Sequence, residues 1–259
     1  MNLQELNPSM KAITIILAVF LLAFVFDPIT PLLFSSGVVT LTFLFGRVSL
    51  KSWSLYFVPF LIIAFGFFWT TLLFGDVGSK EGNMVTIGFV TFSEADLQVA
   101  LSLSLRVLSF ALLSLMFILT TNKTGFLLSL MQQLKLSPKI AYGVLAGYRF
   151  LPMMMTEWKA IRMAHRIRGL RRGKGISGRV QEMKRYVIPL LASAIRKAER
   201  TAIAMESKGF TGSKERTFYR QMKITLQDWV FLGVMLSLYG ISVYCSVRWG
   251  YFQWYDGQL

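Results

Sequence analysis

The chain has 259 residues, of which 54% are apolar and 16% charged, with 22 Phe and 13 Met and a mean hydropathy of +0.53. Soluble domains carry roughly 25% charged residues, so the composition excludes an ordinary soluble fold and makes lipid the solvent for much of the chain. The net charge is nevertheless +15, and it is concentrated: residues 123–223 hold 22 Lys and Arg against 5 Asp and Glu, while the rest is nearly neutral.

The first apolar run opens at Lys11 and continues to Phe26. It ends in Phe-Val-Phe-Asp-Pro without a small-residue cleavage site, so it reads as a retained span rather than a signal peptide. Asp27-Pro28 makes a tight turn, and a second span runs from Ile29 to Phe45. Trp53–Phe74 is the third. It contains Pro59 and Gly66, which neighbouring helices in a bundle tolerate. The connection 75–96 is rich in Gly and acid, and its Met84–Phe92 stretch has β-type residues but is too short to cross a bilayer. Leu97–Thr121 is the fourth span and Trp229–Val247 the last.

Orientation follows from Lys and Arg, which accumulate on the cytoplasmic side. The basic block is predicted to be cytoplasmic, the 75–96 connection and Asp27 outside, and the Arg47–Lys51 loop inside with the amino terminus. Arg106 falls about nine residues into the fourth span, roughly 14 Å along a helix. A charge at that depth is costly and faces protein. Ser102 and Ser109 share its face, so a bridging role and a transport-path role both stay open. In the last span Gly233, Ser237 and Gly240 form one small-residue face suited to close packing, against the bundle itself or another membrane subunit.

The basic block has apolar periodicity, so it is structured. Pro138, Pro152 and Pro189 each mark a predicted helix start. After Pro189, Leu191, Ile195, Ala198, Ala202 and Met205 form an apolar stripe, with Arg196, Lys197 and Arg200 off it. After Pro152, Met155, Trp158 and Ile161 repeat likewise. Trp158, Ile161, Ile195 and Ala202 are expected to be shielded from water. The two helices end alike, at Arg168-Gly169 and Lys208-Gly209: a cation suits the last turn and glycine suits the left-handed stop. The pattern reads either as plain helix termination or as two cationic tips presented to an acidic partner. Nucleic acid is disfavoured because aromatic interleaving is thin, whereas anionic lipid is a competitor. Residues 169–175 imitate a phosphate-binding loop, but the spacing is short and Gly175 stands where Ser or Thr is needed.

Catalysis has little to work with. Cys245 is the only cysteine and His165 the only histidine, which excludes thiolate cages and Cys-His pairs. His165 reads as a polar-face residue, and Met153–Met155 as packing residues rather than metal ligands. No cofactor and no metal site is expected.

Leu105-Arg-Val-Leu-Ser109, Thr120-Thr121, Leu136-Ser-Pro138, Tyr148-Arg-Phe-Leu-Pro152 with Glu157 beyond, Ala164-His-Arg-Ile-Arg-Gly169 and Ala204-Met-Glu-Ser-Lys-Gly-Phe210 occur in order. In these stretches the chain resembles the transmembrane coupling (T) component of energy-coupling factor transporters, importers of the ATP-binding-cassette class. The resemblance implies two coupling helices whose short basic motifs dock on two ATPase subunits. It maps docking onto Arg168-Gly169 and Lys208-Gly209, with lysine at the second site where the family pattern has arginine. It also implies a separate small substrate-binding membrane subunit, which accounts for the lack of a legible substrate site. The expectation is an all-α integral membrane protein of the cell membrane. It has five transmembrane helices plus cytoplasmic amphipathic coupling helices. The domains are a four-span membrane domain (1–121), a cytoplasmic basic region (122–227) and a final helix with an extracytoplasmic tail (228–259). Its function is to relay ATP hydrolysis to uptake of a vitamin-like or metal micronutrient, with no bond chemistry of its own. The rivals are a self-contained transporter, a membrane-surface scaffold and a membrane-embedded enzyme.

Overall fold

Asn7 and Pro8 start the first helix earlier than hydropathy alone suggests. In the computed structural model, which describes residues 2–74, 84–87, 90–169, 175–213, 217–250 and 252, α1 is Pro8–Ala23. The Asn7 side chain accepts the Ser9 N–H at 3.1 Å, and Pro8 takes the first helical position, where its missing N–H costs nothing. The first span is therefore shifted: Lys11 lies inside the helix, and Phe24–Phe26 fall beyond it. α2 (Ile29–Gly46) follows the Asp27-Pro28 turn. Asp27 Oδ2 accepts the Thr30 N–H at 2.9 Å and its hydroxyl at 2.8 Å. α3 (Leu50–Phe74) keeps Pro59 within it. The β-type stretch forms an antiparallel pair, β1 (Met84–Ile87) and β2 (Val90–Ser93), with Val85 opposite Phe92. It leads into α4 (Glu94–Thr120). α5 (Lys123–Gln133) is a short helix absent from the sequence reading. α6 (Pro138–Ile167), α7 (Gly175–Ser207) and α8 (Leu226–Arg248) complete the chain.

The chain is an all-α integral membrane protein apart from that hairpin. Among the described residues α2, α3, α4 and α8 are long and apolar enough to cross a membrane, and α1 is a shorter apolar helix. The chain divides into two units, Met1–Ser129 with Met222–Leu259, and Leu130–Gln221.

In the first unit the core gathers from four helices: Ile15 and Leu22 of α1, Phe34 and Val38 of α2, Leu113 and Met116 of α4, and Phe231 and Met235 of α8. Lipid supplies no hydrophobic drive between helices, so close fit matters. Gly37 illustrates it: a Cβ there would stand 2.4 Å from Leu238 Cδ1 of α8. The small-residue face expected in the last span is not what packs. A Cβ added at Gly233 or Gly240 would meet nothing within 4 Å beyond its own helix, and Ser237 is exposed. The packing face is instead Phe231, Met235, Leu238 and Tyr239, because larger side chains reach across where α2 provides the glycine.

In the second unit two expectations fail. Pro152 and Pro189 lie inside helices rather than at their starts; only Pro138 begins one. An interior proline loses one backbone bond and costs about 3 kcal/mol. Here the 30-residue α6 and 33-residue α7 continue through it, held by contacts along both. The predicted stripe of α7 is not shielded by this chain either: Ile195 is 67% exposed and Leu191 55%, and Ala202 is open as well. The face turned to α6 is mixed: Tyr186, Ser193 and Lys197 make contacts there, and Ala198, Ala202 and Met205 line a cleft with it.

Candidate partner-docking site

Two helix ends carry the predicted motifs. α6 closes with Arg168 as its cap residue, whose N–H donates to the Ala164 carbonyl at 3.1 Å. The Gly169 N–H returns to Arg166 O at 3.1 Å, and Gly169 has φ +70°. α7 closes with Gly209 at φ +80°; the Gly209 N–H reaches Glu206 O at 2.8 Å and the Phe210 N–H reaches Met205 O at 3.0 Å. Glycine is favoured at both stops because a Cβ in the left-handed region costs roughly 1–2 kcal/mol. Phe210 then folds back onto Tyr142 of α6, ring centroids 5.5 Å apart at 69°. Arg168 and Lys208 are exposed, and among the described residues neither side chain has a hydrogen-bond or ion-pair partner.

The contacts between α6 and α7 fix their direction. Trp158 and His165 both pack on Tyr186, at 5.3 and 5.4 Å. Glu157 accepts from Ser193 and forms an ion pair with Lys197. Further along, Tyr142, Phe150, Thr201 and Met205 line one cleft of about 450 Å³ with Arg149 and Lys208. Low numbers on α6 meet high numbers on α7, so the helices run antiparallel. Arg168 and Lys208 therefore sit at opposite ends of the pair and are not brought together. The Lys197 ammonium, followed by the Ser193 hydroxyl, holds the Glu157 carboxyl below the usual carboxylate range. His165 is not a solvent-facing residue: it is partly covered by Tyr186, with Nδ1 enclosed. Met153 and Met155, expected as packing residues, are exposed.

Arg106 lies in the first unit, 9% exposed. It donates to the Val25 carbonyl and its guanidinium stands 4.0 Å from the centre of the Phe26 ring. Ser109 of the same face donates to Pro31 O at 3.1 Å, and Ser102 to Asp27 O at 3.4 Å. Asp27 also accepts from Ser246 of α8. These bonds tie the unwound 24–28 segment to α4 and α8, so Arg106 bridges helices.

Sequence reasoning missed a second buried cation. Lys11, 1% exposed, donates through Nζ to Leu3 O at 2.6 Å, to Thr120 O and Oγ1 at 3.2 Å, and to Thr121 Oγ1 at 3.3 Å. It caps the carbonyl end of α4, where a cation meets the negative end of the helix dipole. Close by in the chain, Asp228 accepts the Asn7 N–H at 2.7 Å and, through its other oxygen, the Thr225 N–H at 2.7 Å. The Asn-Pro pair at 7–8 was the available sign that the helix begins before Lys11 and so encloses it.

Fold and site together define a multi-pass membrane protein with a pair of long basic helices. The family described as cobalt transport protein, CbiQ, matches residues 2–219. Similar curated proteins include the energy-coupling factor transporter transmembrane protein EcfT of Streptococcus equi, 27% identical over 94% of this chain and 91% of its own. The protein of the same name from Bacillus subtilis is 31% identical over 87% and 86%, and that from Staphylococcus aureus 26% over 91% and 89%. The chain belongs to the CbiQ family and is a transmembrane component of the energy-coupling factor transporter type.

Proposed function

We propose that this chain couples two cytoplasmic ATP-binding-cassette ATPases to a small membrane subunit that binds the transported micronutrient. The basic region, residues 122–227, lies in the cytoplasm, and Arg168-Gly169 and Lys208-Gly209 are the two ATPase contacts. The supporting observation is the pair of exposed cations, without a partner among the described residues, at opposite ends of one antiparallel helix pair, each followed by a positive-φ glycine. Two separated contacts suit two ATPase subunits, whose approach or separation then moves α6 and α7. The chain performs no bond chemistry. Its family description names cobalt, and a vitamin-like or metal cargo is held by the partner subunit rather than here. One observation favours a membrane-surface scaffold instead: α7 exposes Ile188, Leu191 and Ile195 beside its basic residues, as an interfacial helix does.

Affinity purification from native membranes tests this reading. Two ATPases and a small hydrophobic subunit are expected to co-purify, and the purified assembly should import cargo into liposomes only with ATP. A chain that purifies alone, or transports unaided, contradicts it.

A further inference from the structure

The contacts that join α6 to α7 are unevenly distributed. At one end aromatic rings meet, Trp158 and His165 on Tyr186. At the other a cleft of about 450 Å³ separates Tyr142 and Phe150 from Met205. Between them stands one polar cluster, Glu157 with Lys197 and Ser193. Leu191 and Ile195 of α7 are exposed, and the apolar residues it sets against α6 beyond the cluster, Ala198, Ala202 and Met205, only line a cleft.

The position of this cluster is symmetrical. Glu157 precedes Arg168 by eleven residues, and Lys197 precedes Lys208 by eleven. Eleven residues are about three helical turns, roughly 16 Å, and return a side chain to nearly the same face. Both interior prolines lie on the far side of the cluster from these segments: Pro152 comes before Glu157 and Pro189 before Lys197. Each arm from cluster to tip is therefore helix without an internal proline, and proline is the commonest origin of a sharp kink.

We propose that Glu157 and Lys197, with Ser193, form the pivot of the helix pair and set the spacing and rotation of its two tips. They are positioning residues: they touch neither tip, but they stand between the His165–Tyr186 contact near one tip and the Tyr142–Phe210 contact near the other, so a displacement of one tip passes the cluster before it reaches the other. A carboxylate–ammonium pair suits a pivot because its attraction survives small changes of angle, whereas an interlocked apolar contact resists them. The mechanical consequence rests on the docking reading above; the geometric one does not.

The test has two arms. In the full chain in nanodiscs, with Cys245→Ser, spin labels at Ile167→Cys and Ser207→Cys report the distance between the tips. The unaltered pair should give one narrow distribution, and Glu157→Gln or Lys197→Ala a width at least doubled. The exchange Glu157→Lys with Lys197→Glu should narrow it again. An unchanged distribution in both single variants, or an exchanged pair that stays broad, overturns the pivot. In the assembled transporter, Glu157→Gln should retain its ATPases and hydrolyse ATP while uptake per ATP falls at least fivefold. Unchanged uptake per ATP overturns the mechanical consequence. Failure of docking alone has a different signature: alanine at Arg168 and Lys208 leaves the ATPases bound, while the distance changes of the pivot variants persist.

Discussion

Lys11 buries its side chain among apolar helices, and four acceptors surround its Nζ. Removing it strands the Leu3 and Thr120 carbonyls, and an unsatisfied buried polar group costs about 1–3 kcal/mol. Lys11→Met is therefore expected to lower the thermal midpoint of the detergent-solubilised protein by several degrees, with Lys51→Ala, at an exposed position, as an unchanged control. An equal midpoint in Lys11→Met contradicts the capping role. Glu157 gives a pH prediction. Its carboxyl is held low by Lys197 first and Ser193 second, so its contribution is complete above the unfolded carboxylate value of about 4.3. That contribution is lost as pH falls through the lower folded value. The tip-to-tip distribution should stay narrow from pH 8 to 5 and broaden only in stronger acid, whereas Glu157→Gln is broad throughout. Broadening of the native pair near neutrality contradicts this. Arg106 was legible in the sequence because a lone charge in a continuous apolar run has to find a partner. Lys11 was not, because it stands at the edge of its run and looks like a flank.

The apolar helices of the first unit were read from hydropathy with ends displaced by a few residues, since lipid exposure and burial both demand apolar side chains. The helices of the second unit were harder. Their tips were legible from basic-Gly endings, but Pro152 and Pro189 suggested starts where the helices run on, and period alone did not distinguish the face turned to α6 from the open one. On α7 the face toward α6 carries Tyr186, Ser193 and Lys197, while Leu191 and Ile195 are open. Ile195→Asp therefore removes no burial within the isolated chain. With no burial to lose, its thermal midpoint should stay within about 2 °C, since surface substitutions usually lie within ±0.5 kcal/mol. If a partner subunit covers that face, the same variant should reduce recovery of the complete assembly severalfold. A destabilised isolated chain, or undiminished assembly, contradicts the exposed-face account.

At the scale of the whole molecule, the concentration of 22 basic residues in 123–223 carries both the expected topology and the proposed function. Membrane orientation follows Lys and Arg, so a cysteine-accessibility reporter at Lys80 should read extracytoplasmic and one at Lys174 cytoplasmic. Both positions lie outside the described residues, and what they test is the one candidate span between them, Leu97–Thr120. Reporters on the same side contradict the five-span topology. The same charge raises the rival that the basic region merely adheres to anionic lipid, and the two accounts differ in where the energy resides. Adhesion spreads it, at about 1 kcal/mol for each cation near the surface. Docking concentrates it, because removing one partner of a buried charged hydrogen bond costs on the order of 2–5 kcal/mol.

Co-purification of the ATPases with alanine variants at Arg168, Lys208, Lys174 and Arg179, scored together with cargo uptake, separates these accounts. Arg168→Ala should release one ATPase, and Lys208→Ala should weaken retention less, because an ammonium lacks the planar fork of a guanidinium. The double variant should abolish uptake while the chain still folds and still holds its membrane partner, and Lys174→Ala and Arg179→Ala should be close to unaltered. Equal, mild losses at all four positions would contradict docking and assign the basic helices to the membrane surface.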